Sequence, residues 1–324
     1  MPLLSALSRN ARLMAGVFFL LALNGCALII PQTEALRETW PAGLPERIEL
    51  GQVPFFPQKD YQCGPAALAT TLVHSSVKVT PDELVSQVYI PARQGSLQVE
   101  MMATPRRYGM VSYQITPRLE DLLREVAAGN PVIVLQNYGV ALFPIWHYAV
   151  VVGYDQVRGD VALRSGERQR LTMPFMVLEY TWQKSDHWAM VTMPPDRIPA
   201  TATEAEYVGA IAAMERVDKA QATIAAYTTV LRRWPDNLAA HVGLANAHYA
   251  AGELRAAEAV LRQAADRHPD SVVVLNNLAQ TLSDQKRNDE ALTLIERALA
   301  LGGPFAGTAR ETREAILQRM GREN

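Results

Sequence analysis

The chain reads as an α+β domain followed by an all-α repeat domain, and three observations carry that reading. Between Ile48 and Met193, short apolar runs of strand length alternate with amphipathic stretches of helical period. From about Glu204 the texture changes to Ala-rich helix with no strand signal, and Pro235 and Pro269, each closing a helical stretch, stand 34 positions apart. With 324 residues, 49% apolar content and a net charge of −2, the chain has room for two cores, and its balance of charge argues against nucleic acid as a partner.

The first 26 residues read as an export signal. Arg9 and Arg12 precede the apolar run LMAGVFFLLAL with no acidic residue nearby. The run ends in Leu23-Asn24-Gly25-Cys26, which resembles the lipobox of bacterial lipoproteins. The resemblance implies lipid on Cys26. With Ala27 following, it also implies a place on the periplasmic face of the outer membrane of a Gram-negative bacterium. Residues 27–47 contain Pro and Glu without periodicity and are expected to be a tether.

Residues 48–199 are expected to form the α+β domain. Thr80-Pro81-Asp82-Glu83 has the form of a capping box and opens a helix through Ile90. Thr116-Pro117 opens another, with Leu119, Leu122, Leu123 and Val126 on one face and Gly129 closing it. PVIVLQN from Pro131 is a buried strand. His147 to Tyr154 is a second, turning near Arg158-Gly159 into Val161 to Arg164. HWAMVTM from His187 is a last strand before the Pro-rich exit Pro194 to Thr203, which is expected to separate two independent modules.

The period of 34 in residues 204–324 is that of tetratricopeptide repeats. Clear repeats fall at about 238–271 and 272–305, with a degenerate one at about 204–237. Leu244, Ala245, Ala257, Leu261 and Ala264 take the small and apolar positions of one repeat, and Leu278, Ala279, Ala291, Ile295 and Ala298 those of the next. Such repeats stack into a groove suited to a protein partner.

The chemistry centres on Gln58 to Val73, QKDYQCGPAALATTLV. Cys63, ahead of Gly64-Pro65 and an Ala/Leu run, starts a buried helix, where the dipole and unpaired N–H groups favour a thiolate. Gln58 lies on a Pro-flanked loop within reach of the same spot, and FPIWHYAVVVGYD delivers His147 at the start of an apolar strand. A cysteine on a helix start and a histidine on a strand form the papain-type constellation for nucleophilic catalysis. If Cys26 carries lipid, Cys63 has no disulfide partner, which fits reactive use. No Cys, His and carboxylate set has ligand spacing, so neither a metal nor another cofactor is expected.

QKDYQCGPAAL and HYAVVVGYD together resemble the double-glycine leader peptidases, a papain-like family, over roughly Val53 to Met193. The pattern is most similar to stand-alone lipoproteins that fuse this domain to tetratricopeptide repeats. The resemblance implies Cys63 as nucleophile, His147 as its base and Gln58 beside the Cys63 N–H as oxyanion donor. It also implies an aspartate on the following strand, but this chain reads VALRSG there. Folding the hairpin about Arg158 brings Ser165 or Glu167 opposite His147 as the orienting group, with Gln136 or Asn137 next in line. His187 is the rival histidine. The expected activity is hydrolysis of a peptide or isopeptide bond in a protein or peptide substrate. The alternatives are a non-catalytic peptide-binding scaffold and a thiol acyltransferase or amidase.

Overall fold

The computed structural model describes residues 30–58, 62–217 and 219–323; the export signal and Cys26 lie outside the described residues. The α+β domain is built on a seven-stranded antiparallel sheet. Its strands are β1 (Arg47–Glu49), β4 (Val111–Gln114), β5 (Val132–Asn137), β6 (Trp146–Asp155), β7 (Asp160–Ser165), β8 (Arg168–Pro174) and β9 (Ala189–Met193), in spatial order β4-β9-β5-β6-β7-β8, with β1 against the far end of β6. A separate two-residue pairing joins β2 (Tyr89–Ile90) to β3 (Gly95–Ser96).

Both faces of the sheet are covered, which is why PVIVLQN reads as a continuous apolar run rather than an alternating one. On one face lies α2 (Cys63–His74), whose Leu68 and Leu72 meet Ile133, Tyr148, Val150, Val152 and Met190. Each of those fully buried leucines contributes about 1.5–3 kcal/mol by leaving water. α3 (Pro81–Val88) and α4 (Gln98–Arg107) flank it. The capping box at Thr80 and Glu83 forms as its sequence pattern predicts, although α3 ends at Val88 and the chain turns into β2. On the other face, α5 (Leu119–Ala127) and α6 (Phe175–Trp182) cover Val132, Val134, Ala149, Val151 and Leu163.

Of the expected tether, the described residues 30–47 are docked on the domain. α1 (Pro31–Glu38) is a helix with Thr33 and Leu36 buried. Its first backbone N–H groups, at Gln32 and Thr33, donate to the buried Glu179 carboxylate of α6 at 2.9 and 2.6 Å. A carboxylate there meets the positive end of the helix dipole. Trp40 then stacks on Phe175, and β1 pairs with β6 at Gly153 to Asp155. Sequence periodicity missed this segment because its docking rests on a partner 147 residues away.

The repeat module places helix starts 34 residues apart in two series. The first is α7 (Glu204–Ala212), α9 (Leu238–Ala250), α11 (Val272–Asp284) and α13 (Ala306–Glu323); the second is α8 (Ala220–Arg233), α10 (Leu254–Arg267) and α12 (Asn288–Leu301). The degenerate first repeat is therefore in phase with the clear ones. All ten small and apolar repeat positions named above are buried.

Across Pro194 to Thr203, the stretch expected to separate two independent modules, the domains pack on one another. Tyr113 of β4 meets Tyr207 of α7 edge to face at 5.8 Å, and its hydroxyl donates to Glu206 at 3.0 Å. Buried Glu125 of α5 accepts from Thr201 N–H at 2.7 Å, Thr201 hydroxyl at 2.6 Å, Asn130 Nδ2 at 2.6 Å and Ala200 N–H at 3.2 Å. One apolar core runs from the sheet through α7 and α8 into Leu244 of α9.

Candidate active site

Gln58, Cys63, His147 and Glu167 line one cleft of about 850 Å³. Cys63 is the first residue of α2. Gly64 follows because nothing larger fits: a Cβ there would stand 2.3 Å from Ser96 Oγ and 3.2 Å from Met101 Sδ. His147 enters from β6, in register with Gln136 of β5. The backbone N–H groups of Tyr148, the residue after His147, of Gly64 and of Cys63 itself favour the anionic form of the thiol.

The segment before Cys63 is pinned to the β7–β8 hairpin. Arg164 sits where the resemblance leads one to expect an acidic residue, and it is buried for a structural reason. Its guanidinium donates to the Val53 carbonyl from Nε and Nη2 at 3.3 and 3.2 Å and to the Gln169 carbonyl at 2.6 Å. Gln58 N–H donates to the Gly166 carbonyl at 3.1 Å, while its side-chain amide reaches the Tyr148 carbonyl only at 3.5 Å. That amide is held weakly and is free to exchange this partner for another acceptor in the cleft.

Ser165 Oγ lies 2.8 Å from His147 Nε2. Glu167 lines the cleft, and Asn137 is committed elsewhere: its Oδ1 accepts from the Gly139 and Ile145 N–H groups and shapes the loop before His147. His187 does not open the last strand; it occupies a left-handed turn at φ 54 and packs edge to face on Trp182 at 4.8 Å.

Electrostatics differ from the thiolate expectation. Burial pushes the Cys63 thiol up, against the opposing pull of the Tyr148, Gly64 and Cys63 N–H groups. Burial also lowers His147 to about 4. The resting pair is thus a neutral thiol and a neutral imidazole. The helix start still supplies N–H groups to sulfur, but desolvation of an anion outweighs them here.

Tyr138 escaped sequence reasoning. Its ring stacks on His147 at 5.4 Å with 29° between planes. Strand parity with Gln136, two residues earlier, could have placed it on the His147 face once the β5–β6 register was known. Beyond it, Val140, Leu142, Phe143 and Ile145 form an exposed apolar loop that leads into Trp146 at the start of β6, and Ile145 and Trp146 wall the cleft.

Residues 50–190 match the Peptidase_C39 like family, and residues 204–271 and 250–303 match the Tetratricopeptide repeat. No curated protein matches the chain. Among solved structures, a C39-like peptidase from Bacillus anthracis is similar at 17% identity over 46% of this chain and 98% of that one, with a TM-score of 0.39. A double glycine motif protease from an AMS/PCAT transporter, solved with the leader peptide, is similar at 16% identity over 44% of this chain and 91% of its own, with a TM-score of 0.33. A MamA structure, MSR-1 C2, is similar at 19% identity over 37% of this chain and 68% of its own, with a TM-score of 0.32. Residues 50–190 form a Peptidase_C39-like domain, and it is fused to a module of tetratricopeptide repeats.

Proposed function

We propose that the chain is a lipid-anchored cysteine peptidase that hydrolyses a peptide or isopeptide bond, with the repeats recruiting a protein partner. The observation that supports this most is the meeting of Cys63, on a helix start, with Gln58 and His147 in one cleft, His147 being tied from behind by Ser165. Because both groups rest neutral, attack and proton transfer are coupled. Sulfur bonds to the carbonyl carbon as the thiol proton passes to His147 Nδ1, and the carbonyl π electrons move to oxygen. The Cys63 N–H and the Gln58 amide, released from Tyr148, bond that oxyanion. His147 then gives its proton to the leaving nitrogen as the C–N bond breaks, and water activated by His147 resolves the thioester.

Lipid on Cys26 would leave four residues, through Ile30, before α1, a reach of about 14 Å at full extension. The domain would then sit against the periplasmic face of the outer membrane. Asn246, Tyr249, Asn277 and Gln280, with Ala245 and Leu261, line a cavity of the repeats, and their side-chain amides and hydroxyl suit a peptide backbone.

The neutral resting pair also favours a second reading, a scaffold that binds peptide without cutting it. A peptidyl electrophile decides between them. Under the peptidase reading it modifies Cys63, His147→Ala slows modification by about tenfold or more, and Cys63→Ser abolishes both modification and cleavage of an envelope peptide library. A Cys63 that reacts equally with and without His147 supports the scaffold. Cys26→Ser should abolish incorporation of labelled fatty acid; undiminished labelling rules out that anchor.

A further inference from the structure

We propose, resting on the reading of the chain as lipid-anchored, that the loop between β5 and β6 seats the domain on the bilayer. Its apolar tip enters the same lipid surface that holds the Cys26 lipid, and the Cys63 cleft opens beside that surface.

From Tyr138 to Tyr148 the chain reads YGVALFPIWHY, eleven residues without a charge. Leu142 and Phe143, 78% and 71% exposed, form the tip, and Val140 and Ile145 are open on either side of it. Tyr138 and Trp146 stand at its base, half-exposed aromatics with one polar atom each. An apolar tip with Tyr and Trp beneath it matches the order of a bilayer interface, hydrocarbon first and headgroups behind.

The turn is built by its backbone and leaves these side chains free. Phe143 N–H donates to the Val140 carbonyl at 3.0 Å, and Tyr138 N–H to the Ile145 carbonyl at 2.9 Å. Asn137 Oδ1 accepts from the Gly139 and Ile145 N–H groups at 2.9 and 2.8 Å, and a Cβ at Gly139 would run into the Phe143 carbonyl. Burying the tip therefore orders little that is not already ordered.

What covers the tip follows from where the chain enters the fold. Lipid on Cys26 would leave four residues, about 14 Å at most, before α1, whose first N–H groups sit on Glu179 of α6. On the same helix Val177 and Tyr180 are exposed. Lys184 Nζ lies 4.3 Å from the centre of the Tyr180 ring and donates to the Gly139 carbonyl at 2.9 Å and the Asn137 carbonyl at 3.3 Å. α6 thus joins the point of lipid attachment to the base of the loop. Lys184 is spent on those carbonyls, so the loop meets lipid through apolar side chains rather than charge. Ile145 and Trp146 wall the cleft, so seating the tip brings the cleft mouth to the bilayer.

The test places a tryptophan at the tip. The full chain carrying Leu142→Trp is reconstituted in vesicles of phosphatidylethanolamine and phosphatidylglycerol, and the emission added over wild type is read. Brominated acyl chains should quench it, more strongly with bromine near the headgroup than near the chain end, because such seating reaches only about 5–10 Å. Adding Phe143→Asp should withdraw the tip and restore the emission. Salt at about 1 M should leave the quench in place, since charge does not hold the loop. A tip as open to aqueous iodide with vesicles as without, a quench unchanged by Phe143→Asp, or one lost in salt overturns the seating. So does shielding that needs no vesicles and grows with protein concentration, which assigns the loop to a second copy. Shielding by soluble apolar peptides alone also overturns it and assigns the loop to substrate. Fatty-acid labelling of Cys26 reads the anchor separately. A labelled chain with an unquenched tip defeats only the seating, and a quenched tip on an unlabelled chain defeats only the lipid on Cys26.

Discussion

The resting charge of His147 should be legible in how stability depends on pH. Burial lowers this ring from 6.5 to about 4. Between those values the unfolded chain binds a proton that the folded chain refuses, so the unfolded state gains protons first and stability falls as pH falls. The contribution is complete above about pH 6.5 and is lost progressively toward about pH 4. Going from about pH 7.5 to about pH 5, the shift corresponds to about 2 kcal/mol lost on account of this group. Urea unfolding followed by tryptophan fluorescence at both pH values, on wild type and His147→Gln, isolates it, because other titrating groups cancel between the two proteins. Wild type should lose about 2 kcal/mol more than the variant. A thiolate–imidazolium pair at rest would raise the ring's pKa and reverse the sign. Equal losses, or a smaller loss in wild type, would refute the neutral pair and with it the coupled attack.

Two further outcomes test how the site is held. Glu125→Leu strands four donors at the junction of the domains; it should cost about 3–5 kcal/mol and open Pro194 to Thr203 to limited proteolysis, and resistance to cleavage there would mean that the apolar core alone joins the domains. Gly64→Ala drives a methyl to 2.3 Å from Ser96 Oγ and should cost about 1–3 kcal/mol, recovered in part by Ser96→Gly; no recovery would place the clash elsewhere.

Local chemistry was legible where one segment carried its own reason. The Thr80 capping box, the buried run of β5 and the helix start at Cys63 each depend on residues within a few positions, and the 34-residue period persists even through the degenerate first repeat. The antiparallel hairpin about Arg158 could also be folded on paper, and it brings Ser165 to His147 as that folding implies.

What only the tertiary structure decided depends on partners distant in the chain. α1 is a docked helix because Glu179 meets its N-terminus, and the two domains are fused because Glu125 and Tyr113 reach across to Thr201, Glu206 and Tyr207. Tyr138 faces His147 only once β5 and β6 are in register. The state of the thiol was decided in the same way. A helix dipole can be read from Cys63-Gly64-Pro65, but the desolvation that outweighs it is set by everything folded over the cleft, and no short stretch of sequence encodes that burial.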